Sequence, residues 1–297
     1  MRTKYLPLLS KILFEHSPPL ERAYQQCETL ARTHYENFPV ASRFLPKKIR
    51  RPIAVIYAFA RQADDIADEG DLTTTARLEQ LKHYWKNLEK ITQGIAPSDP
   101  VFIALDDVIK KNPMLPIALF FNLLTAFKQD VVKKEYNDFA EVLDYCKYSA
   151  NPVGRLLLHL TDNASTENLA YSDNICTALQ LINFLQDLDS DLTLRDRCYL
   201  PRDEMHAMNI AKEDFQSYKQ SATIHDFIKT QLIRAEHLLQ NGSSLGENLR
   251  GLFGFEIRVI INAANTIVQQ LKKRSGIYER PTLKLWHWPK ILLTALK

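Results

Sequence analysis

The sequence predicts an all-α protein, and three observations lead there. Glycine is scarce, at 8 of 297 residues; most of the 14 prolines fall between stretches of apolar periodicity; and those stretches are filled with Leu, Ala, Lys, Gln and Glu. No run of alternating β-branched residues is long enough for a sheet. Length alone would allow one large domain or two smaller ones. No Gly/Ser linker, charge block, low-complexity segment or internal repeat divides the chain, so a single helical domain over 1–297 is expected.

Periodicity and punctuation place helices near residues 19–35, 52–69, 74–92, 101–111, 116–132, 139–148, 153–161, 167–188, 221–240 and 249–274. The first two open on Pro19 and Pro52, which suit a helix's first turn, and the second stops before Gly70, which suits its C-cap. Residues 52–60 are apolar on almost every face, so that helix is expected to run through the interior. Within the fifth helix the most apolar stretch, Leu115 to Phe127, is broken by Pro116, Asn122 and Thr125 and is too short to span a bilayer; it reads as a core helix. Asn151 and Pro152 mark a break between the sixth and seventh.

A formal charge of +3, with Lys and Arg scattered among acids, leaves no electrostatic footprint for nucleic acid. Cys27, Cys146, Cys176 and Cys198 are isolated from one another and from any zinc-like His spacing, and read as reduced, cytoplasmic thiols. Residues 1–17 lack the apolar core and small-residue cleavage site of a secretion signal. The stretch from Leu283 to Leu293 mixes Trp, Lys and apolar residues as a membrane-surface segment does, although packing on the domain is the blander reading. Peripheral contact with the inner face of a membrane therefore stays open.

Chemistry concentrates in two places. After the apolar residues 52–60 come Arg61, Asp64, Asp65, Asp68 and Glu69, crowding acids at the negative end of a helix dipole, where something cationic should offset them. Asp64 and Asp68 lie about 40° apart on one face, one turn above the other, a spacing that can hold a hard cation. Asp65 lies about 100° round from Asp64. In the second place, Leu181, Leu185, Leu188 and Leu192 form an apolar stripe, and Gln180, Asn183, Asp187 and Asp191 a polar one roughly 120° round the helix. Either polar stripe alone is ordinarily a solvated face. Together, with first aspartates 123 residues apart, they could meet only by tertiary packing, and facing carboxylate pairs would bind Mg²⁺ through oxygen while leaving room for phosphate. Diphosphate departure is the chemistry that needs such a charge-neutralising, water-excluding site, with an apolar cavity sheltering the carbocation.

These residues carry a family resemblance. Residues 60–69 resemble the first aspartate-rich motif of the squalene and phytoene synthases, the trans-isoprenyl head-to-head synthases, and residues 183–191 followed by 197–201 resemble the second. His34 to Phe38, before Phe44 to Pro46, looks like the family's His-containing N-terminal segment, and residues 145–154 occupy the place of its central motif. The resemblance runs from about residue 20 to about 285. It implies an isoprenoid synthase helical bundle around a deep apolar cavity, with Asp64, Asp68, Asn183, Asp187 and Asp191 as Mg²⁺ ligands and the aspartates catalytic. His34, Arg61 and Arg280 would contact diphosphate, and Tyr57 and Tyr145 would line the cavity near the reacting carbons. On sequence alone His34 reads as a surface histidine and the tyrosines as core aromatics.

The departures from the family pattern are informative. Gln186 stands where the family often has Arg, the spacing from Asp191 to Tyr199 is one residue longer than usual, and Asn151 replaces a Gly. Together with residues 36–42 and 149–159, these look most like the bacterial hydroxysqualene synthase branch. That branch implies hydration of presqualene diphosphate, with companion enzymes of squalene synthesis. Gln186 and Asn151 join the substrate-side candidates, and Asn151 or Tyr145 could orient water; Asn151 could equally just shape the break ahead of Pro152. The alternatives are a coupling enzyme making presqualene diphosphate, squalene or phytoene, and a non-catalytic assembly factor. Intact aspartates argue against the latter, and no Gly-rich dinucleotide fingerprint supports reduction by NADPH.

Overall fold

The structure, a computed structural model, describes residues 18–33 and 47–296. The described residues are overwhelmingly helical. In chain order they form α1 (Pro19–Thr33), α2 (Lys47–Asp68), α3 (Thr74–Thr92), α4 (Pro100–Lys111), α5 (Ala118–Val132), β1 (Glu135–Tyr136), α6 (Phe139–Ser149), α7 (Asn151–Leu160) and α8 (Thr166–Gln186). Then follow α9 (Leu188–Thr193), β2 (Cys198–Pro201), α10 (Arg202–Ala207), α11 (Lys212–Gln216), α12 (Ala222–Gly242), α13 (Leu245–Asn248), α14 (Gly251–Lys273), a 3₁₀ turn (Leu285–His287) and α15 (Trp288–Ala295).

The ten expected helices are present, with three differences of substance. The helix expected to open at Pro52 begins at Lys47, so the proline lies inside α2. An internal proline costs about 3 kcal/mol. The extra turn is held by tertiary contacts: Arg51 pairs with Glu21 and Glu28 of α1 at 2.5 and 2.8 Å, and Ile49 is buried in the core. The helix expected over 167–188 stops at Gln186, where Arg274 Nη1 takes the Leu185 carbonyl at 3.0 Å and Asp187 leaves helical geometry at φ −98°, ψ 14°. The third difference is a small sheet that was not expected. β1 and β2 pair in parallel, Glu135 opposite Cys198, with the Cys198 amide donating to the Lys134 carbonyl at 2.8 Å.

α2 runs through the interior as its apolar faces require. Phe59 is fully buried among Tyr84, Phe102 and Phe120, at ring-centroid distances of 5.9, 5.8 and 5.2 Å. This aromatic knot ties α2 to α4 and α5 by edge-on contacts and to α3 by a tilted one. On the other side, α8 packs against α7, α12 and α14, and Leu181, Leu185, Leu188 and Leu192 are all buried, as their stripe predicts. Gly154 lets α7 lie close on α8: a Cβ there would come within 2.2 Å of Ser172 Oγ and 2.6 Å of Cys176 Sγ. Among the described residues only α14 is long and apolar enough to cross a membrane, and more than half of it is buried within the fold.

Candidate active site

The acid-laden end of α2 has the offsetting cation that its dipole calls for. Arg77, on α3, donates to the carbonyls of Ile66, Glu69 and Gly70 at 2.7, 3.0 and 2.6 Å, neutralising the helix's C-terminal carbonyls. Gly70 takes φ +70°, the left-handed conformation of a helix C-cap. Arg61 reaches Asp65 at 2.6 Å, Glu69 at 3.3 Å and Asp64 at 3.5 Å. Asp68 is turned towards the second motif, meeting Arg195 and Arg197 beyond it, and Asp64 lies one turn earlier on the same face of α2. Tyr57, half-buried on α2, precedes Asp64 by two turns and so shares that face.

The second motif spans the α8–α9 junction rather than one helix, yet keeps its spacing. The Asp187 amide still bonds the Asn183 carbonyl and the Asp191 amide the Asp187 carbonyl, both at 2.8 Å. Beyond Asp191 the chain makes a tight return. Asp196 takes φ +52°, and the Arg197 amide donates to the Asp191 carbonyl at 2.8 Å. A left-handed residue between them lets Arg195 and Arg197, two positions apart, aim at the same carboxylate: Arg195 Nε lies 3.2 Å and Arg197 Nη2 2.5 Å from Asp68. Arg195 also reaches Asp191 at 3.1 Å, so one guanidinium bridges the two motifs. Arg280 pairs with Asp187.

Behind these charges lies a buried polar and aromatic wall. Asp130 of α5 accepts hydrogen bonds from Tyr145 at 2.9 Å and Tyr199 at 3.0 Å and lies 3.9 Å from Arg197. Tyr199 stacks on Phe184 at 3.9 Å between centroids, with Tyr145 and Tyr136 each 5.5 Å from it. β2 makes this possible, because strand alternation around Cys198 puts Arg197 and Tyr199 on one side.

Electrostatics follow from this crowding. Burial, with the Asp68 charge beside it, pushes the Asp64 carboxyl up to about 7 against the opposing pull of Arg61, although 38% of its side chain still reaches water. Burial likewise pushes Asp191 up to about 7, against Arg195, and Asp130 up to about 6, against Arg197. Tyr145 and Tyr199 are held well above the ordinary phenol range by burial and by the Asp130 charge.

The remaining sequence candidates are distributed as follows. Asn183 is half-buried one turn before Asp187. Gln186 is 3% exposed and donates from Nε2 to the Pro281 carbonyl at 2.7 Å, so this side chain anchors the loop that carries Arg280. Asn151 is buried and accepts from Thr177 at 3.0 Å, tying α7 to α8. His34 and the segment around it lie outside the described residues. No three His, Cys, Asp or Glu side chains among the described residues are close enough together to chelate one ion, because guanidinium groups stand between the carboxylates. Sequence reasoning missed Arg77, Asp130 and Arg195, and included Arg197 in the second-motif resemblance without giving it a role. The Arg-Asp-Arg string after the second motif was the available signal.

Comparison with known proteins decides the family. The squalene/phytoene synthase family pattern matches residues 31–288. The chain belongs to the squalene/phytoene synthase family. It is 37% identical to the hydroxysqualene synthase of Rhodopseudomonas palustris over 255 residues, 85% of each chain. It is 34% identical to the phytoene synthase of Mycobacterium tuberculosis over 191 residues, 64% of this chain and 61% of that one. Among solved structures, squalene synthase HpnC from Alicyclobacillus acidocaldarius superposes with a TM-score of 0.80 at 30% identity, covering 90% of this chain and 99% of that one. A dehydrosqualene synthase solved with a ligand shares the fold, with a TM-score of 0.80 at 23% identity, over 94% of this chain and 98% of that one. The family is one of isoprenoid-forming enzymes, which sets aside the assembly-factor alternative.

Proposed function

We propose that this chain, as one isoprenoid synthase domain, takes presqualene diphosphate and water and gives hydroxysqualene and diphosphate. The observation that carries the reading is the bridging of the two aspartate motifs by Arg195, 3.2 Å from Asp68 and 3.1 Å from Asp191, which brings sequence-distant carboxylates to one place. The names of its most similar relatives point the same way.

A divalent metal suits this donor set. The side-chain ligand atoms are all oxygen, as Mg²⁺ prefers, and Asp68 and Asp191 are brought together around one guanidinium. Asp64, Asp68, Asn183, Asp187 and Asp191 would hold Mg²⁺, which supplies charge against which the diphosphate leaves. Arg61 and Arg280 would bind the diphosphate oxygens as the ion pairs of these two arginines open, and His34 is the third candidate contact. Gln186 acts indirectly, fixing the Pro281 loop so that Arg280 stays beside Asp187. The carbon–oxygen bond to diphosphate breaks, a carbon–carbon bond of the cyclopropane breaks as the cyclopropylcarbinyl cation rearranges to an open-chain one, and the electron-rich faces of the aromatic wall stabilise these cations. Tyr145 spends its hydroxyl proton on Asp130, so its oxygen can accept a hydrogen bond from one water and turn that water's lone pair towards carbon. A carbon–oxygen bond forms to water, a proton is lost, and the alcohol results. Asn151 stiffens the wall through Thr177.

Product analysis with Mg²⁺ and no NADPH tests this. Presqualene diphosphate should yield the alcohol. Efficient conversion of farnesyl diphosphate to presqualene diphosphate, with added presqualene diphosphate left untouched, would assign the coupling reaction instead.

A further inference from the structure

We propose that the C-terminal segment, residues 283–296, is a lipid-docking edge that seats the Arg280 side of the site on an anionic phospholipid bilayer. The observation is a contradiction in how this segment packs. α15 is firmly fixed: Ile291 and Ala295 are buried against Val259 and Ala263 of α14, Arg258 donates to the Ala295 carbonyl at 2.7 Å, and Asn262 to that of Ile291 at 3.4 Å. Its opposite face, and the 3₁₀ turn that leads into it, carry large apolar side chains into water. Leu285 is 88% exposed, Trp286 67%, Leu293 64% and Leu296 69%. At helical spacing Pro289, Leu293 and Leu296 fall within about 60° of one another, so the exposed apolar residues of α15 form a stripe.

Charge identifies what covers that stripe. From residue 280 to 297 the sequence has no Asp or Glu, while Arg280, Lys284 and Lys290 flank the apolar residues. Lys284 lies over the Trp286 ring at 4.9 Å, the pairing of cation and indole that suits the boundary between headgroups and acyl chains. A second copy of this chain fits poorly, because two-fold pairing through this face would bring lysines against lysines with no acid in the segment to balance them. An anionic lipid surface satisfies both halves of the face: leucine and tryptophan enter the boundary, and lysines meet phosphates.

The position gives the docking a consequence. Arg280 pairs with Asp187 and the Pro281 carbonyl accepts from Gln186, so residues 280–281 sit at the site. Four residues then reach Leu285, a span of at most about 14 Å. A docked edge therefore holds the site near the plane from which a long-tailed apolar substrate would arrive.

Vesicle co-sedimentation of the full chain tests the proposal independently of catalysis. Phosphatidylcholine vesicles are compared with vesicles that also contain phosphatidylglycerol. Binding should be strong on the anionic vesicles, fall with salt, and weaken about 30-fold in the Lys284→Gln/Lys290→Gln variant, at about a factor of five per lysine. Trp286→Glu/Leu293→Glu should abolish it while leaving the melting temperature unchanged, since both side chains are exposed. Three results would overturn the proposal: equal binding to neutral and anionic vesicles, retained binding in the Trp286→Glu/Leu293→Glu variant, or a dimer in sedimentation velocity that this variant dissolves. Should that variant fail to fold, the lysine pair decides alone.

Discussion

Replacing Arg197 by Met tests whether the site's charges hold the fold together as well as serving chemistry. Arg197 is buried, 2.5 Å from Asp68 and 3.9 Å from Asp130. Methionine fills most of the aliphatic volume and removes the charge. Asp68 then keeps Arg195 at 3.2 Å, and Asp130 keeps the hydroxyls of Tyr145 and Tyr199. Removing one partner of a buried ion pair costs about 3–5 kcal/mol. The surviving partners put this case at the low end, about 3 kcal/mol, which for a chain of this size lowers the melting temperature by roughly 5 °C. Adding Asp68→Asn relieves one stranded charge, so the double variant should be more stable than the two single losses would predict. Urea unfolding of wild type, both single variants and the double gives the coupling energy directly. A loss below about 1 kcal/mol for Arg197→Met, the scale of an exposed salt bridge, or strict additivity in the cycle, would refute the reasoning.

Two further outcomes follow from the same geometry. Asp64→Ala and Asp187→Ala should each cut turnover of presqualene diphosphate by orders of magnitude while leaving the urea midpoint nearly unchanged; wild-type turnover that persists in thorough chelator would contradict the metal assignment. Asp130 binds its proton more tightly in the folded chain, up to about 6 against an ordinary 3.8, so its contribution to stability is full below about pH 4 and lost as pH rises through 6. Asp130→Asn should flatten the fall in stability between pH 4 and 6, measured by urea unfolding across that range, and an unchanged slope would show that Asp130 does not titrate there.

What was legible in the sequence divides along a physical line. Patterns whose cause is local were readable: the leucine stripe of α8 is buried because its spacing leaves no other face for it, and Gly70 ends α2 because it alone there takes a left-handed φ cheaply. Features caused by distant partners were not. Nothing near Pro52 announces that Arg51 will find Glu21 and Glu28, which lets the helix start five residues early. Nothing near Leu185 announces that Arg274 will take its carbonyl and end α8. β2 is only four residues long and its partner strand lies some sixty residues away, so neither strand carries enough alternation to be seen.

The site follows the same rule at finer grain. Two aspartate pairs at helical spacing were visible as pairs, but their meeting depends on Asp196, a non-glycine residue at φ +52°. That conformation costs an ordinary L-residue roughly 1–2 kcal/mol, less for Asp, whose side chain bonds locally. Here Lys212 holds the Asp196 carboxylate at 2.6 Å and its carbonyl at 3.2 Å, so the left-handed turn is fixed from α11. The segment between Asp191 and Tyr199, which the sequence reading takes as one residue longer than the family pattern, contains this turn, and Arg195 and Arg197 on either side of Asp196 both reach Asp68. Where the family pattern would have Arg, Gln186 fastens the Arg280 loop through the Pro281 carbonyl, and Arg195 and Arg197 are the guanidinium groups on Asp68, with Arg195 also reaching Asp191.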